Sequence, residues 1–171
     1  CSALVEAWQD QAPDKVTTVL IDTSPDLRQQ LLMADVQRLD AILYTHDHAD
    51  QTHGIDDVRA LAIRNREQVK AYMDAATHAT LYPKFHYAFE GKGGYPPIIA
   101  LQPLISADQS FPVHGPGGAL DCLPVDQEHG RIRSLGFRFG DVAYCNDLNR
   151  LPEQSLRQLA GLELLIIDAL R

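Results

Sequence analysis

The sequence predicts a mixed α/β fold, because short apolar runs that look like strands alternate with segments that have helical spacing. The run LDAILYT is continuously apolar over a short length, which is typical of a strand buried on both faces. With 171 residues, of which 45% are hydrophobic, the chain is long enough for one domain with a real core. We therefore treat residues 1–171 as a single domain.

Eight segments have the character of strands and four have that of helices. The predicted strands are, in order, SALVEA, TTVLID, LDAILYT, VKAYMD, GALDCLPVD, LGFRFG, VAYCND and LELLIID, with the polar WQDQAPDKV connecting the first two. The predicted helices are DTSPDLRQQLLMA, GIDDVRALAIRN, AATHATLYPKF and PEQSLRQLAGL. The first helix has start residues, since Ser24 can cap it, Pro25 suits its first position and Asp26 complements its dipole. A Gly/Pro-rich loop is expected over residues 91–97.

Composition narrows the function classes. The formal net charge of −8 argues against a nonspecific nucleic-acid binder, which needs a basic face. The longest apolar runs are too short to span a bilayer, so we expect no membrane partner. The cysteines Cys1, Cys122 and Cys145 are odd in number and lack framework spacing, which indicates reduced thiols in a cytoplasmic protein. Because the chain starts without methionine and stops beside a strand, we expect it to lack N-terminal and C-terminal parts of its domain.

The stretch LYTHDHADQTHG places three histidines and two aspartates where the buried strand ends. In extended chain, residues i, i+2 and i+4 share one side, so His46, His48 and Asp50 can converge on one point. Imidazoles with a carboxylate suit zinc, manganese or iron(II), and strand ends commonly carry the sites of α/β proteins. A solvated polar loop is the weaker alternative, because five potential ligands fall within eight residues. The stretch therefore predicts a metal site.

Two later residues could complete this site. His129 in VDQEHG and Asp147 in VAYCND each follow a predicted strand. Either alone would more simply be a structural residue, but the histidine cluster makes both candidates for metal binding. Asp22, which ends TTVLID, could order the site by hydrogen bonding, and a strand-end turn is the alternative role.

Other residues are given structural roles. His114 in FPVHGPGG is assigned to a turn, and His78 and His86 to surface or packing positions. Cys145 is expected to face the core. Tyr95, in the glycine-rich loop, is a possible substrate contact.

Several motifs together resemble a known family. THDHADQTHG resembles the HxHxDHxxG motif of the metallo-β-lactamase superfamily, and VLIDTSPD resembles its early ID-G element, with Ser24 where glycine is usual. GIDDVR and LGFRFGDVAYCND are similar to a narrower group, the PhnP-type cyclic-phosphate phosphodiesterases, relatives of ribonuclease Z. The resemblance covers nearly the whole chain. It implies an αββα sandwich with the metal site at one edge, of which this chain would be a truncated piece.

The resemblance also implies roles for individual residues. His46, His48 and His129 would hold a first metal. Asp147 would bridge two metals, and Asp50 would help to hold the second metal and orient the attacking water. Asp50 and Asp147 are therefore the expected catalytic carboxylates, and one or two divalent transition metals, zinc or manganese, are the expected cofactors.

The chain departs from the family motif at two points. Gln51 stands where the motif has a histidine ligand, and its neutral amide is a poorer ligand. The family's last ligand histidine and the histidine thought to protonate the leaving group would both follow Arg171. His53 could replace a missing ligand, although a substrate-binding or supporting role is the favoured interpretation, and Gln51 and Asp22 are placed in the same supporting class.

The favoured function is a metal-dependent hydrolase, and within that class a phosphodiesterase that uses a metal-bound hydroxide. The acidic chain favours a small cyclic phosphate or nucleotide over a nucleic-acid end. The same hydroxide attacks acyl carbon, so a thioesterase or lactonase is the alternative within enzymes. A non-catalytic protein that binds a metal and a nucleotide is the alternative from another class, and Gln51 motivates it. The oligomeric state is left open, with a homodimer as one option.

Overall fold

The computed structural model describes residues 2–168 and confirms the mixed α/β class. The strands are β1 (Ala3–Gln9), β2 (Ala12–Ile21), β3 (Ala41–Leu43), β4 (Val69–Tyr72), β5 (Ile99–Leu101), β6 (Phe111–Gly115), β7 (Gly118–His129), β8 (Ile132–Phe139), β9 (Val142–Cys145) and β10 (Leu164–Ile167). The α-helices are α1 (Leu27–Met33), α2 (Ala49–Thr52), α3 (Arg59–Asn65), α4 (Ala75–Glu90) and α5 (Glu153–Gln158), with a 3₁₀ turn at Ile55–Val58.

The chain divides into two compact units. The first contains the described residues up to Leu104 together with His114–Gly118, and the second contains Ile105–Val113 and the described residues from Ala119 onward. One five-stranded sheet has the order β1-β2-β3-β4-β5 and lies within the first unit, and the other has the order β10-β9-β8-β7-β6. The assignment of residues 1–171 to one domain stays a prediction.

The sheet of the first unit is parallel except at its first strand. β1 pairs antiparallel with β2, and β2, β3, β4 and β5 follow one another in parallel. Parallel strands end at the same sheet edge, and here Ile21, Leu43 and Tyr72 lie in register at the ends of β2, β3 and β4. β3 is buried at all three positions, as expected of a strand covered on both faces. The residues after these strands are therefore brought together at one edge.

The core of the first unit is apolar and continuous. Strand residues pack with residues of α1, the 3₁₀ turn, α3 and α4. Its fully buried members include Leu27, Ile42, Tyr44, Ile55, Val58, Ala71, Met73 and Leu81. At roughly 1.5–3 kcal/mol for each large apolar side chain removed from water, this cluster anchors the sheet edge that carries the histidines.

The first hairpin and the first helix differ from the sequence prediction. The polar segment WQDQAPDKV is mostly strand, since β1 continues to Gln9 and β2 begins at Ala12. Helix α1 begins after Asp26, so Ser24 is not its N-cap. Ser24 instead closes a turn before the helix, because its carbonyl oxygen accepts the N–H of Leu27 at 3.0 Å and its hydroxyl bonds Gln30.

Three further elements were missed or mistaken. β5 and β6 were not predicted, because the short runs around Ile99 and Val113 show no clear alternation. The assignment of His114 to a turn is wrong, since it lies in β6. Helix α4 continues to Glu90 past a kink at Phe85 that follows an internal proline. Among the described residues, no helix has the length and apolar content needed to cross a membrane.

The second unit has its own sheet and a small core. β7, β8 and β9 are antiparallel neighbours, and β10 is parallel to β9. Cys145 is fully buried among Val125, Ala143 and Leu159, which confirms its predicted place in the core. Cys145 and Cys122 are free, and burial raises the pKa of Cys145 to about 11 and that of Cys122 to about 12, whereas reduced thiols in a cytoplasmic protein stay a prediction. The third cysteine, Cys1, lies outside the described residues.

Candidate metal centre

Two parallel strand ends build the first part of the site. Asp22 directly follows β2, and its N–H donates to the carbonyl of Leu43, the last residue of β3, at 3.0 Å. This bond extends the strand pairing by one residue beyond the register of Ile21 with Leu43. Asp22 has a left-handed backbone (φ 59°) and is fully buried. The turn therefore directs a carboxylate beneath the segment that follows β3.

The carboxylate of Asp22 fixes this segment at two points. Its Oδ1 accepts the N–H of Thr45 at 2.8 Å, and its Oδ2 accepts the hydroxyl of Thr45, also at 2.8 Å. The same hydroxyl oxygen lies 2.9 Å from Nδ1 of His46. The predicted ordering role of Asp22 thus has a concrete form, in which Thr45 connects the carboxylate to the imidazole.

These hydrogen bonds determine which ring nitrogen of His46 carries the proton. A hydroxyl has one hydrogen, and Thr45 donates it to Asp22, so its oxygen accepts a hydrogen from Nδ1 of His46. A neutral imidazole protonated at Nδ1 keeps its lone pair on Nε2, which is the form that binds a metal. The hydrogen on Nδ1 of His46 is thus compatible with metal binding through Nε2.

His46 and His48 face the same region, as their spacing predicts. Their ring centroids are 4.5 Å apart at an interplanar angle of 72°. His46 is 1% exposed, whereas His48 is exposed. His48 has extended backbone and lies directly before α2, so the alternation of sides applies from His46 to His48 and then ends.

The prediction that Asp50 lies on the same side as His46 and His48 of an extended segment is wrong, because the chain is not extended at Asp50. Helix α2 begins at Ala49, and Asp50 lies in its first turn with an exposed side chain. The amide Nε2 of Gln51 donates to Oδ2 of Asp50 at 3.0 Å. The role of Asp50 as a ligand and water-orienting group stays a prediction, and Gln51 is the residue that holds its carboxylate.

Gln51 also ties the two strand-end segments together through its backbone. It is buried, and its carbonyl oxygen accepts the N–H of Thr23 at 2.7 Å. The N–H of Gly54 donates to the carbonyl of Thr23 at 2.9 Å. A β-carbon on Gly54 would overlap the carbonyl oxygen of Ser24, so only glycine fits there. The final glycine of the motif is thus explained by a close backbone approach.

His53 and Asp47 point toward α4. His53 follows α2, is exposed, and its ring centroid lies 5.9 Å from that of Phe85. Asp47 has its Oδ2 3.6 Å from Nζ of Lys84. Burial works against the charge of Asp47, but the hydroxyl of Thr80 and the ammonium of Lys84 outweigh it and lower the pKa of Asp47. The supporting or substrate-binding role of His53 stays a prediction.

In the second unit, His129 and Asp147 follow neighbouring parts of the sheet. His129 is the last residue of β7, and Asp147 comes two residues after β9. The segment after Asp147 pairs with the end of β7, since Asn149 donates to the carbonyl of Glu128 at 2.7 Å and Glu128 donates to that of Arg150 at 3.0 Å. The two candidates are therefore presented on adjoining segments.

Side chains hold both backbone groups of Asp147. Its N–H donates to Oδ2 of Asp168 at 2.9 Å, and its carbonyl accepts the hydroxyl of Ser134 at 3.2 Å. The buried amide of Gln127 donates to Ser134 Oγ and to the carbonyl of Asn146, both at 3.1 Å. These contacts stabilise a left-handed backbone (φ 50°) that a non-glycine residue rarely adopts. The sequence interpretation missed Asp168, Ser134 and Gln127.

Three of the predicted ligands belong to one group. His46, His48 and His129 could hold a metal ion, each offering one ring nitrogen. Three imidazoles suit zinc and other divalent transition metals, and a hydrogen on Nδ1 of His46 is compatible with such an ion at Nε2. The histidine part of the predicted metal site is thereby supported. The parts assigned to Asp50 and Asp147 stay predictions.

Comparison with known families decides the identity of the fold. The beta-lactamase superfamily domain matches residues 17–171. The chain belongs to the beta-lactamase superfamily. The resemblance inferred from THDHADQTHG is confirmed, and the two-sheet mixed α/β architecture matches the metallo-β-lactamase fold.

Individual proteins are similar to most of this chain. A solved diphosphatase of the PhnP family is 34% identical with a TM-score of 0.77, over 92% of this chain and 59% of that one. An octanoyltransferase of Porphyromonas gingivalis (strain ATCC BAA-308 / W83) is 33% identical over 155 residues, which are 90% of this chain and 30% of that protein. The short form of human tRNase Z shares the fold, with 14% identity and a TM-score of 0.59 over 96% of this chain and 69% of that one.

These matches cover only part of each relative's own length. The chain spans less than two thirds of the PhnP-family diphosphatase and less than a third of the octanoyltransferase. The similarity to the diphosphatase agrees with the narrower resemblance drawn from GIDDVR and LGFRFGDVAYCND. That this superfamily chain is a truncated piece stays a prediction.

Proposed function

We propose that the protein is a metal-dependent hydrolase that cleaves a phosphodiester bond in a small cyclic phosphate or nucleotide. The observation that carries the proposal is the bonded series from Asp22 through Thr45 to His46, which leaves Nε2 of His46 able to bind a metal. The 34% identity to a PhnP-family diphosphatase supports a phosphorus centre as the point of attack. We propose zinc or manganese as the metal, and a homodimer and a cytoplasmic location stay predictions.

The residues of the candidate centre would have different roles in the reaction. When bound, a divalent transition metal lowers the pKa of a coordinated water to about 7 and offsets negative charge on phosphate oxygens. His46, His48 and His129 would hold it. Asp50, whose carboxylate is held by the amide of Gln51, would orient the attacking water. This positions a nucleophile for displacement at phosphorus.

We propose that the carboxylate of Asp147 would help to hold both metals. Its backbone is fixed through Asp168 and Ser134, so binding a metal would have to order only its side chain. Gln51 takes the place of a second-metal ligand in the motif, and its Nε2 is engaged with Asp50. We therefore propose that the second metal binds more weakly than the first.

A second candidate is hydrolysis of a thioester or lactone. One observation favours it, namely the similarity to a protein named as an octanoyltransferase, which transfers an acyl group. The metal and the three histidines serve attack at acyl carbon equally well. The two candidates predict different substrates for the same site, so a substrate panel separates them.

The test combines metal content with a substrate panel. Protein purified without chelator should contain at least one transition metal per chain by elemental analysis. His48→Ala should remove most of that metal, and His78→Ala, which changes a half-buried histidine packed on Tyr82, should not. An aryl phosphodiester and a cyclic phosphate should be hydrolysed faster than a thioester, a lactone and a β-lactam at matched metal loading.

Other outcomes contradict the proposal in distinct ways. Faster turnover of an acyl substrate would select the second candidate. Stoichiometric metal with no turnover of any substrate would instead support a non-catalytic metal- and nucleotide-binding protein. Absence of metal uptake would contradict the metal site itself.

A further inference from the structure

A cavity of about 340 Å³ opens on the first unit, lined by Arg59, Tyr87, Lys92 and Tyr95. We call it the tyrosine pocket. Its lining combines two cations with two phenol rings, although the whole chain has a net charge of −8. None of these residues takes part in the metal centre. The volume is at the lower end of the range typical of small-molecule sites.

The loop at one wall of the tyrosine pocket has a defined turn. Lys92 and Tyr95 exchange two backbone hydrogen bonds of 3.1 and 3.0 Å across the pair Gly93 and Gly94, both of which have positive φ. This is a two-residue hairpin turn, which places the flanking residues directly opposite each other. Side chains of such a pair lie on one face with their β-carbons about 4.5–5.5 Å apart. An ammonium and a phenol ring are thereby presented together.

The same loop is anchored to α4. The N–H of Gly91 donates to the carbonyl of Tyr87 at 3.0 Å, and that of Ile98 donates to Ala88 at 2.8 Å. A β-carbon on Gly91 would lie 2.5 Å from the carbonyl oxygen of Tyr95, so the loop folds closely over a glycine. Tyr95 is nevertheless 70% exposed. Its ring is held out to solvent by a fixed backbone.

The opposite wall carries an oriented guanidinium. Arg59 donates to Oδ1 of Asp56 at 2.7 Å, which fixes one edge of its planar group and leaves other N–H donors for a ligand. Tyr87 is half-buried beside it. Burial, followed by the charge of Asp56, raises the pKa of Tyr87 despite Arg59, so its hydroxyl stays protonated and can donate.

Ring contacts connect the tyrosine pocket to the segment that carries the predicted site residues. The ring of Phe85 lies 6.5 Å from that of Tyr87 and 5.9 Å from that of His53. His53 directly follows α2, which contains Asp50 and Gln51. One ring, that of Phe85, therefore separates Tyr87 of the pocket from His53, the residue for which a substrate role was predicted.

We propose that the tyrosine pocket binds a nucleotide, with a phosphate at Arg59 and Lys92 and the base stacked on Tyr95. Arginine and lysine are the usual phosphate partners, and tyrosine rings stack on any base. Two cations alone would serve any anion, and the two phenol rings favour one that carries a flat ring. The pocket narrows the substrate class of the proposed function to nucleotides. Its link to hydrolysis rests on that proposed function.

Binding can be tested without any metal. Protein treated with chelator is titrated calorimetrically with AMP, adenosine and ribose 5-phosphate, and AMP should bind more tightly than either fragment. Tyr95→Ala should weaken AMP binding about tenfold, the loss expected for one stacked base, whereas Tyr95→Phe should retain it. Lys92→Ala should weaken AMP and ribose 5-phosphate about fivefold and leave adenosine unchanged.

Matched controls come from the other end of the first unit. Trp8→Ala and Lys15→Ala remove an exposed ring and an exposed cation from the β1–β2 hairpin, and AMP affinity should not change. Equal binding of AMP and its fragments, or AMP affinity that survives both Tyr95→Ala and Lys92→Ala, would overturn the pocket assignment. AMP titration of the chelator-treated protein reports the pocket alone, and the substrate panel with metal reports hydrolysis, so a failure of the proposed hydrolase and a failure of the pocket give different results.

Discussion

The two units hold their candidate ligands with the same backbone device. In the first unit, Asp22 follows β2, and its carboxylate binds the N–H of Thr45, two residues after the parallel strand β3. In the second, Asp168 follows β10, and its carboxylate binds the N–H of Asp147, two residues after the parallel strand β9. Each aspartate also donates its own N–H to the last carbonyl of the neighbouring strand, at 3.0 Å for Asp22 and 3.3 Å for Asp168.

The two units differ in which residue supplies the N–H that the aspartate carboxylate accepts. In the first unit it belongs to Thr45, and the ligand is the next residue, His46, reached through a hydroxyl. In the second unit it belongs to the candidate ligand Asp147 itself, and Asp147 has the left-handed backbone. Asp22 is fully buried, whereas Asp168 is half-exposed. Burial should therefore make the first device the more costly one to disrupt, because buried groups cannot turn to water.

The largest effect is expected from Asp22→Ala. The change leaves the N–H and the hydroxyl of Thr45, both buried, without their acceptor. At about 1–3 kcal/mol for each unsatisfied buried group, the free energy of unfolding should fall by about 3 kcal/mol or more. Urea unfolding followed by circular dichroism measures it. A loss below about 1 kcal/mol would show that Asp22 is not the main support of this segment.

Thr45→Val should lower the free energy of unfolding by about 2 kcal/mol, because one hydrogen bond to a buried carboxylate is lost. Its distinctive effect is on the metal, whose affinity should fall about 10–100-fold when His46 loses the partner of Nδ1. Nitrogen-15 NMR should show that His46 no longer occupies a single protonation form. Thr17→Val is the control, since it removes a buried hydroxyl bond to Gly118 and should lower stability without changing metal affinity or the His46 signals.

Gln51→His tests the first unit at Asp50, whose carboxylate accepts a hydrogen bond from Gln51. A histidine restores the motif ligand, and an added ligand should tighten the second metal by about tenfold or more, or about 1.4 kcal/mol. The first metal should change little. Calorimetric metal titration of both proteins checks this. If the wild type already binds two metals equally well and Gln51→His changes neither, another residue supplies the ligand, and His53→Ala should then release the second metal.

The smallest effect is expected from Asp168→Ala, which should lower the free energy of unfolding by about 1 kcal/mol. Water can replace its half-exposed carboxylate as the acceptor. Metal affinity should fall more than stability does, since Asp147 loses the partner of its N–H. Asp168→Asn, which keeps an acceptor oxygen, should recover most of that affinity. A stability loss equal to that of Asp22→Ala would contradict the distinction drawn from burial.

Much of the fold could be predicted from local pattern. The buried run that became β3, the strands around it and the helix after the motif appear close to where the sequence places them. The misses fall where local pattern is ambiguous or overridden. β5 is only three residues long, and the turn before α1 is set by the contact of Ser24 with Leu27 and Gln30.

The sequence by itself determined the chemistry of the metal centre. Histidines at alternate positions after a buried strand predicted that His46 and His48 would face one region, and His129 was added from its place after a later strand and from the family resemblance. Side-chain direction along an extended segment depends only on neighbouring residues, so it is written in the local sequence. The same reasoning failed at Asp50, where a helix had already begun.

Only the tertiary structure decided how the ligands are held. Thr45 as a bridge to His46, and Asp168 and Ser134 as supports of Asp147, join residues that are distant in the chain or occupy positions without a distinctive motif. Asp22 and Thr45 are 23 positions apart, and Asp147 and Asp168 are 21 apart. Their contacts depend on the register of neighbouring parallel strands, which is fixed by the packing of the whole sheet and not by any local pattern.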